Sequence, residues 1–259
     1  MNKRVFASTA LVALLVLDTR AASVHAADSA QQIVEEAQRR TTSRSERYEG
    51  LLQSFDASGK TAEKRWIFER LGSHGQSKAT IRFTSPAEVR GVALLIANRA
   101  DGPSDQWMWT PALERDRRIA LQDRSTRFFG TDFSFEDLEE RDVAQYDHKM
   151  LGDDSVEGAK AWKIEAVPKP SRSSQYTRTI LWIRSDNYAI VRIESYVNNQ
   201  VVRRLDYSKL ENIQGIWTAR ELKMADLRRG TATWLDIEKI EYNLPLKDTD
   251  FTVQALRRQ

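Results

Sequence analysis

Between Ser45 and Asn243 apolar and polar residues alternate with a period of two, and each run ends in turn residues. That period sends successive side chains to opposite faces of an extended strand. "SERYEGLLQSFDASGKTAEKRWIFERLG" predicts two strands around the turn Asp56-Ala57-Ser58-Gly59, with Trp66 and Phe68 on one face and Arg65, Ile67 and Glu69 on the other. "SKATIRFTSPAEVRGVALLIANR" predicts a strand, a short helical turn capped by Ser85 and ended by Gly91, and another strand. In that second strand Val92, Leu94 and Ile96 oppose Ala93, Leu95 and Ala97. A strand apolar on both faces predicts a central position, covered on both sides. "SDQWMWTPALERDRRIAL" predicts a strand pair with Trp107 and Trp109 opposite Met108.

Alternation stops over "RFFGTDFSFEDLEE" and then resumes. "HKMLGDDSVEGAKAWKIEAVPK" predicts a hairpin with Trp162, Ile164 and Ala166 on one face. "YTRTILWIRSDNYAIVRIESYVNNQVVRRLDYSKL" predicts three strands, and "GIWTARELKMADLRRGTATWLDIEKIEYNL" a last hairpin turning near Arg229-Gly230. Only the start has helical spacing. In "DSAQQIVEEAQRR" Ser29 and Gln32 make a capping-box pattern, and Ala30, Ile33, Val34 and Ala37 form one stripe. The fold class is therefore mainly β, a meandering antiparallel sheet.

Such a sheet exposes more apolar face than its few short helices can fill, which predicts an apolar cavity of the kind that suits an acyl chain. Alternation with charged neighbours assigns its lining to Phe68, Leu94, Ile96, Trp107, Trp109, Trp162, Ile164, Val191, Ile193 and Leu205. The segment that breaks the alternation supplies Phe128, Phe133, Phe135 and Leu138, with Gly130 permitting a sharp turn and Ser134 and Asp137 capping a short helix. Two readings fit these phenylalanines. They are a lid over the cavity mouth, which leaves some of them exposed when nothing is bound, or they are core under a fixed helix.

Composition narrows the chemistry. Hydrophobic residues make up 41% and charged residues 30% of the 259 residues, a globular balance. The first 26 residues read as a secretory signal, cleaved after Val24-His25-Ala26, with Lys3 and Arg4 before an apolar run from Val5 to Leu17. That run is shorter than the ~20 residues of a bilayer span. Residues 27–259 are then one exported domain with no cysteine for disulfides or lipid attachment. Setting the signal aside, the net charge of +3 falls to about +1, and the basic residues are not interleaved with the tryptophans, so nucleic acid is no partner. No nucleophile elbow, P-loop, dinucleotide fingerprint or metal-ligand spacing occurs, so no enzyme activity, metal or cofactor is expected. His74 and His148 lie amid loop-like residues. Glu136, Asp137, Glu139, Glu140 and Asp142 read as a solvated acidic face.

Three stretches in order, "IRFTSPAEVRGVALLI", "DQWMWTPALERDRRIAL" and "FFGTDFSFEDLEE", resemble the LolA-like outer-membrane lipoprotein-sorting proteins, in a branch of uncharacterised members associated with RND/MMPL-type exporters. The resemblance implies an incomplete antiparallel β-barrel, a strongly curved sheet with short helices as a lid. It also implies a monomeric periplasmic carrier that shields lipid or lipoprotein acyl chains and passes them between membrane partners through transient contact with the membrane surface. An inner-membrane RND/MMPL-type exporter is the partner it points to. The alternative is a non-catalytic accessory module that docks on such an exporter and carries nothing.

Overall fold

The computed structural model describes residues 29–258 apart from 101, so the expected signal segment, residues 1–26, lies outside the described residues. Helix α1 (Ala30–Arg40) is the first element of the described residues and has the anticipated capping box. The first set of strands is β1 (Ser45–Phe55), β2 (Thr61–Leu71), β3 (Lys78–Ser85), β4 (Ala93–Ala97), β5 (Asp105–Thr110) and β6 (Arg115–Arg118). A crossover, residues 119–145, follows. The second set is β7 (Tyr146–Val156), β8 (Ala159–Pro168), β9 (Arg178–Arg184), β10 (Ile190–Val197), β11 (Gln200–Ile213), β12 (Ile216–Asp226) and β13 (Thr231–Tyr242), and helix α2 (Val253–Leu256) ends the chain.

All thirteen strands form one antiparallel sheet in the order β6-β5-β4-β3-β2-β1-β13-β12-β11-β10-β9-β8-β7. Each set is a meander, and the two meanders join where the first strand pairs with the last, Glu46 opposite Tyr242 and Phe55 opposite Ala232. The edges β6 and β7 do not pair, so the barrel is incomplete, as expected. Register shifts at Glu49/Gly50, Arg65/Trp66, Met150/Gly152, Ile190/Arg192 and Ser195/Tyr196 bend the sheet, because a bulge inserts an unpaired residue and steepens the local twist. At the seam between the meanders only glycine fits: a Cβ on Gly50 would lie 1.9 Å from the Asp236 carbonyl oxygen.

The inner face buries two adjoining clusters. One sets α1 (Ile33, Val34, Ala37) against Ile164, Leu181, Ile183 and Ile193; the other gathers Leu52, Trp66, Phe83, Leu94 and Ile96 under Phe128 and Phe135. The outer face is covered at β4 and β5, where Ala93, Leu95, Trp107 and Trp109 pack under Phe251 and Leu256 of the C-terminal segment. So β4 is apolar on both faces because both are covered, although it lies third from an edge rather than centrally. Residues 86–91, expected to be helical, form hydrogen-bonded turns instead, with Val89 N donating to the Pro86 carbonyl and Gly91 N to that of Phe83.

Candidate functional site

The crossover must travel from one edge of the sheet to the other, and it does so across the inner face. Its middle folds back on itself: Phe128 N donates to the Phe133 carbonyl at 2.8 Å, and Phe135 N to that of Thr126 at 3.2 Å. At the tip Gly130 takes φ +75°, the conformation that favours glycine. Asp132, fully buried, pins the tip to β13 by accepting from the hydroxyls of Thr231 (2.5 Å) and Thr233 (2.8 Å), while its own N–H donates to Thr233. The helix expected after Ser134 is a single 3-10 turn, Glu136–Leu138, although Ser134 and Asp137 do bond to each other as the sequence implied.

Between this strap, α1 and the sheet lies a cavity of about 480 Å³, within the ~300–1,000 Å³ of small-molecule sites. Tyr48, Leu52, Phe68 and Ile81 wall it from the first meander, Leu205, Leu222, Leu235 and Ile237 from the second, Val34 and Ala37 from the helix. A smaller pocket of about 200 Å³ adjoins it and shares Asp137, Glu139, Arg141, Ile190, Leu205 and Tyr207.

Of the residues assigned from sequence, Phe68, Phe128, Phe133, Leu138 and Leu205 line the larger cavity, and Ile193 lines the smaller. Leu94, Ile96, Phe135, Ile164 and Trp162 lie on the same face but in or against the packed clusters, behind the lining. Three assignments are corrected. Trp107 and Trp109 face outward onto α2, because the sheet has cover on both sides there and the strand's tryptophans took the outer one. Val191 is the extra residue of a bulge between Ile190 and Arg192, which turns it to the outer cluster with Val156, Ile180 and Trp182. The three strap phenylalanines assigned to a lid are buried, Phe128 3%, Phe133 5% and Phe135 3% exposed, so the exposure expected of a lid is not seen in them.

The acidic run is a further correction. Glu136, Glu139 and Asp142 are buried, and the side chain of Asp137 is 4% exposed. Their partners come from distant strands and loops. Glu139 forms ion pairs of 2.8 Å with both Arg124 and Arg172 and accepts from Gln106 Nε2 at 2.8 Å. Asp137 pairs with Arg203 and accepts from the Tyr176 hydroxyl at 2.7 Å. Glu140 accepts from Arg70 at 3.0 Å, and Arg70 also reaches Glu46 at 2.8 Å. These bonds tie the strap to β2, β5, the β8–β9 connection and β11. Burial of this kind is tolerated because Glu139, Asp137 and Glu140 are each matched by arginine, whereas Glu136 accepts from the Ser174 hydroxyl and Gln175 N, and Asp142 from Ala144 N.

Two histidines also line the larger cavity. His74 stands 3.5 Å from Glu140, and His148, on strand β7 rather than in a loop, lies 2.8 Å from Gln31 Oε1. Burial lowers the pKa of both below 6.5; Glu140 opposes the shift at His74, and Asp147 opposes it at His148. A histidine held neutral when folded and protonated when unfolded makes stability rise with pH through the window below 6.5. Stability measured by urea denaturation should therefore fall between pH 7.5 and 5.5. The fall should shrink in the double variant His74→Gln, His148→Gln; an unchanged slope would assign it to the carboxylates.

A family model described as an uncharacterized protein matches residues 75–258. Three solved structures share the fold. A domain described as an outer membrane lipoprotein-sorting protein, from Vibrio parahaemolyticus, is 24% identical with a TM-score of 0.84, over 88% of this chain and 98% of that one. A DUF1329 family protein from Desulfovibrio piger is 26% identical with a TM-score of 0.83, over 88% and 97%. A LolA superfamily protein from Nitrosomonas europaea is 21% identical with a TM-score of 0.69, over 88% and 100%. No curated protein sequence matches the chain.

Proposed function

The chain belongs to this family of uncharacterized proteins with a LolA-like fold, and on that premise we propose that it is a periplasmic carrier. It shields lipid or lipoprotein acyl chains and hands them between membrane partners. The observation that carries the reading is the cavity of about 480 Å³ between sheet, helix and strap, with a mainly apolar wall. Each methylene moved from water into such a wall contributes ~0.8 kcal/mol, so a long chain is held without any covalent step. The partner at the inner membrane is an RND/MMPL-type exporter, and the carrier works as a monomer.

The test is lipid extraction and mass spectrometry of protein purified from its own cells, repeated on Leu222→Trp. Leu222 and its cross-strand neighbour Leu235 both line the cavity, so an indole at 222 takes up space that an acyl chain needs. The wild type should yield acyl lipid near one equivalent, and the variant should fold but yield much less. Wild-type protein that carries no acyl lipid and takes up no added palmitate would leave the accessory-module reading in its place.

A further inference from the structure

Across four neighbouring strands the inner face carries two adjacent rows of opposite character. Leu181, Ile193, Leu205 and Met224 stand side by side, and one step along the strands Thr179, Ser195, Arg203 and Asp226 do the same. The apolar row continues towards the larger cavity; the polar row closes the smaller pocket, which Ser195 and Arg203 line.

Into that corner the strap brings Arg141, which together with Tyr207 lines both cavities. Arg141 Nη1 donates to the Thr179 hydroxyl at 3.2 Å, but no carboxylate lies within 4.0 Å of its guanidinium among the described residues. The carboxylates that face the same pocket are occupied, Asp137 by Arg203 and Glu139 by Arg124 and Arg172. The Tyr207 hydroxyl has no hydrogen-bond partner among the described residues, and burial pushes its pKa up to about 12, so it stays a donor. The Tyr207 hydroxyl and the guanidinium N–H groups of Arg141 not used by Thr179 are half-buried donors that an arriving anion can accept from.

We propose that this corner binds the anionic head group of an amphiphile whose acyl chain lies in the larger cavity. Arg141 holds the carboxylate or phosphate and Tyr207 donates to it. A guanidinium recognises either group through paired N–H donors, whereas an ester or alcohol head offers no charge. The inference rests on the carrier reading and adds the ligand class to it.

The experiment titrates the purified protein with palmitate, palmitoyl lysophosphatidic acid and methyl palmitate, which share a chain and differ in the head. At least one anionic probe should bind about tenfold or more tightly than methyl palmitate, the ratio expected of a charge-assisted hydrogen bond. Which of the two wins identifies the carboxylate or the phosphate as the head group. Arg141→Gln should bring the ratio to within about twofold, chiefly by weakening the anionic probes, and Arg141→Lys should keep part of it. Should Arg141→Gln not fold, Tyr207→Phe must narrow the preference instead. Equal binding of all three probes by the wild type, or a preference that survives the substitutions, overturns the head-group site and leaves the carrier standing. Binding of none of the three overturns both.

Discussion

Glu139→Ala should destabilise the protein by about 3–5 kcal/mol, the cost of removing one partner from a buried ion pair. The side chain of Glu139 is 2% exposed, and its loss leaves the guanidinium groups of Arg124 and Arg172, 6% and 2% exposed, without a counter-ion. Gln106, fully buried, also loses the nearest of its acceptors, keeping the Phe135 carbonyl and the Ser104 hydroxyl. For a chain of this length the melting temperature should drop by on the order of 10 °C. Glu238→Ala, which breaks an exposed pair with Arg65, is the control and should change stability by less than about 0.5 kcal/mol. If the two variants melt within a degree or two of each other, Glu139 is no clamp and the strap is held by its phenylalanines and by Asp132, Asp137 and Glu140.

Phe135→Ala should cost a similar amount, about 3–5 kcal/mol, because Phe135 packs edge-on to Phe128 at 5.7 Å in the core cluster and lies behind the cavity lining. Phe133, in contrast, lines the cavity as well as touching core. Its replacement by alanine should cost less stability and speed the loss of bound lipid. Urea denaturation and a palmitate-release time course on both variants separate core from lid within one segment. Stability unchanged at Phe135, with release accelerated, would make it a moving cover after all. The pattern expected assigns one strap both roles, its two phenylalanines two residues apart facing different neighbours.

The strands were legible because a half-buried sheet imposes a period of two, and α1 because Ser29 and Gln32 announce its start. Alternation tells which residues share a face but not which face looks inward. It therefore misplaced Trp107 and Trp109, whose outer cover, α2, is a helix of four residues with no detectable stripe. It misplaced Val191 for another reason: a bulge leaves no mark in composition, only in pairing. The acidic run misled most. Its spacing is that of a solvated turn, and the arginines that neutralise it stand far away in the chain, Arg172 33 residues beyond Glu139 and Arg203 66 beyond Asp137. Arg141 gave no signal in sequence, since an arginine that lacks a partner differs from a paired one only in three dimensions.

The join between β1 and β13 bears on how the molecule assembles. Glu46 meets Tyr242, so the pairing that unites the sheet spans most of the chain. Pairings of such long range must overcome a large loop-closure entropy before they are rewarded, which slows folding. Each meander has nearest-neighbour hairpins and can form early, but until β13 emerges from synthesis β1 presents an unpaired edge of eleven residues. The order of events is thus written into the topology: two half-sheets first, then the seam at Gly50, and only then the cavity whose walls come from both halves.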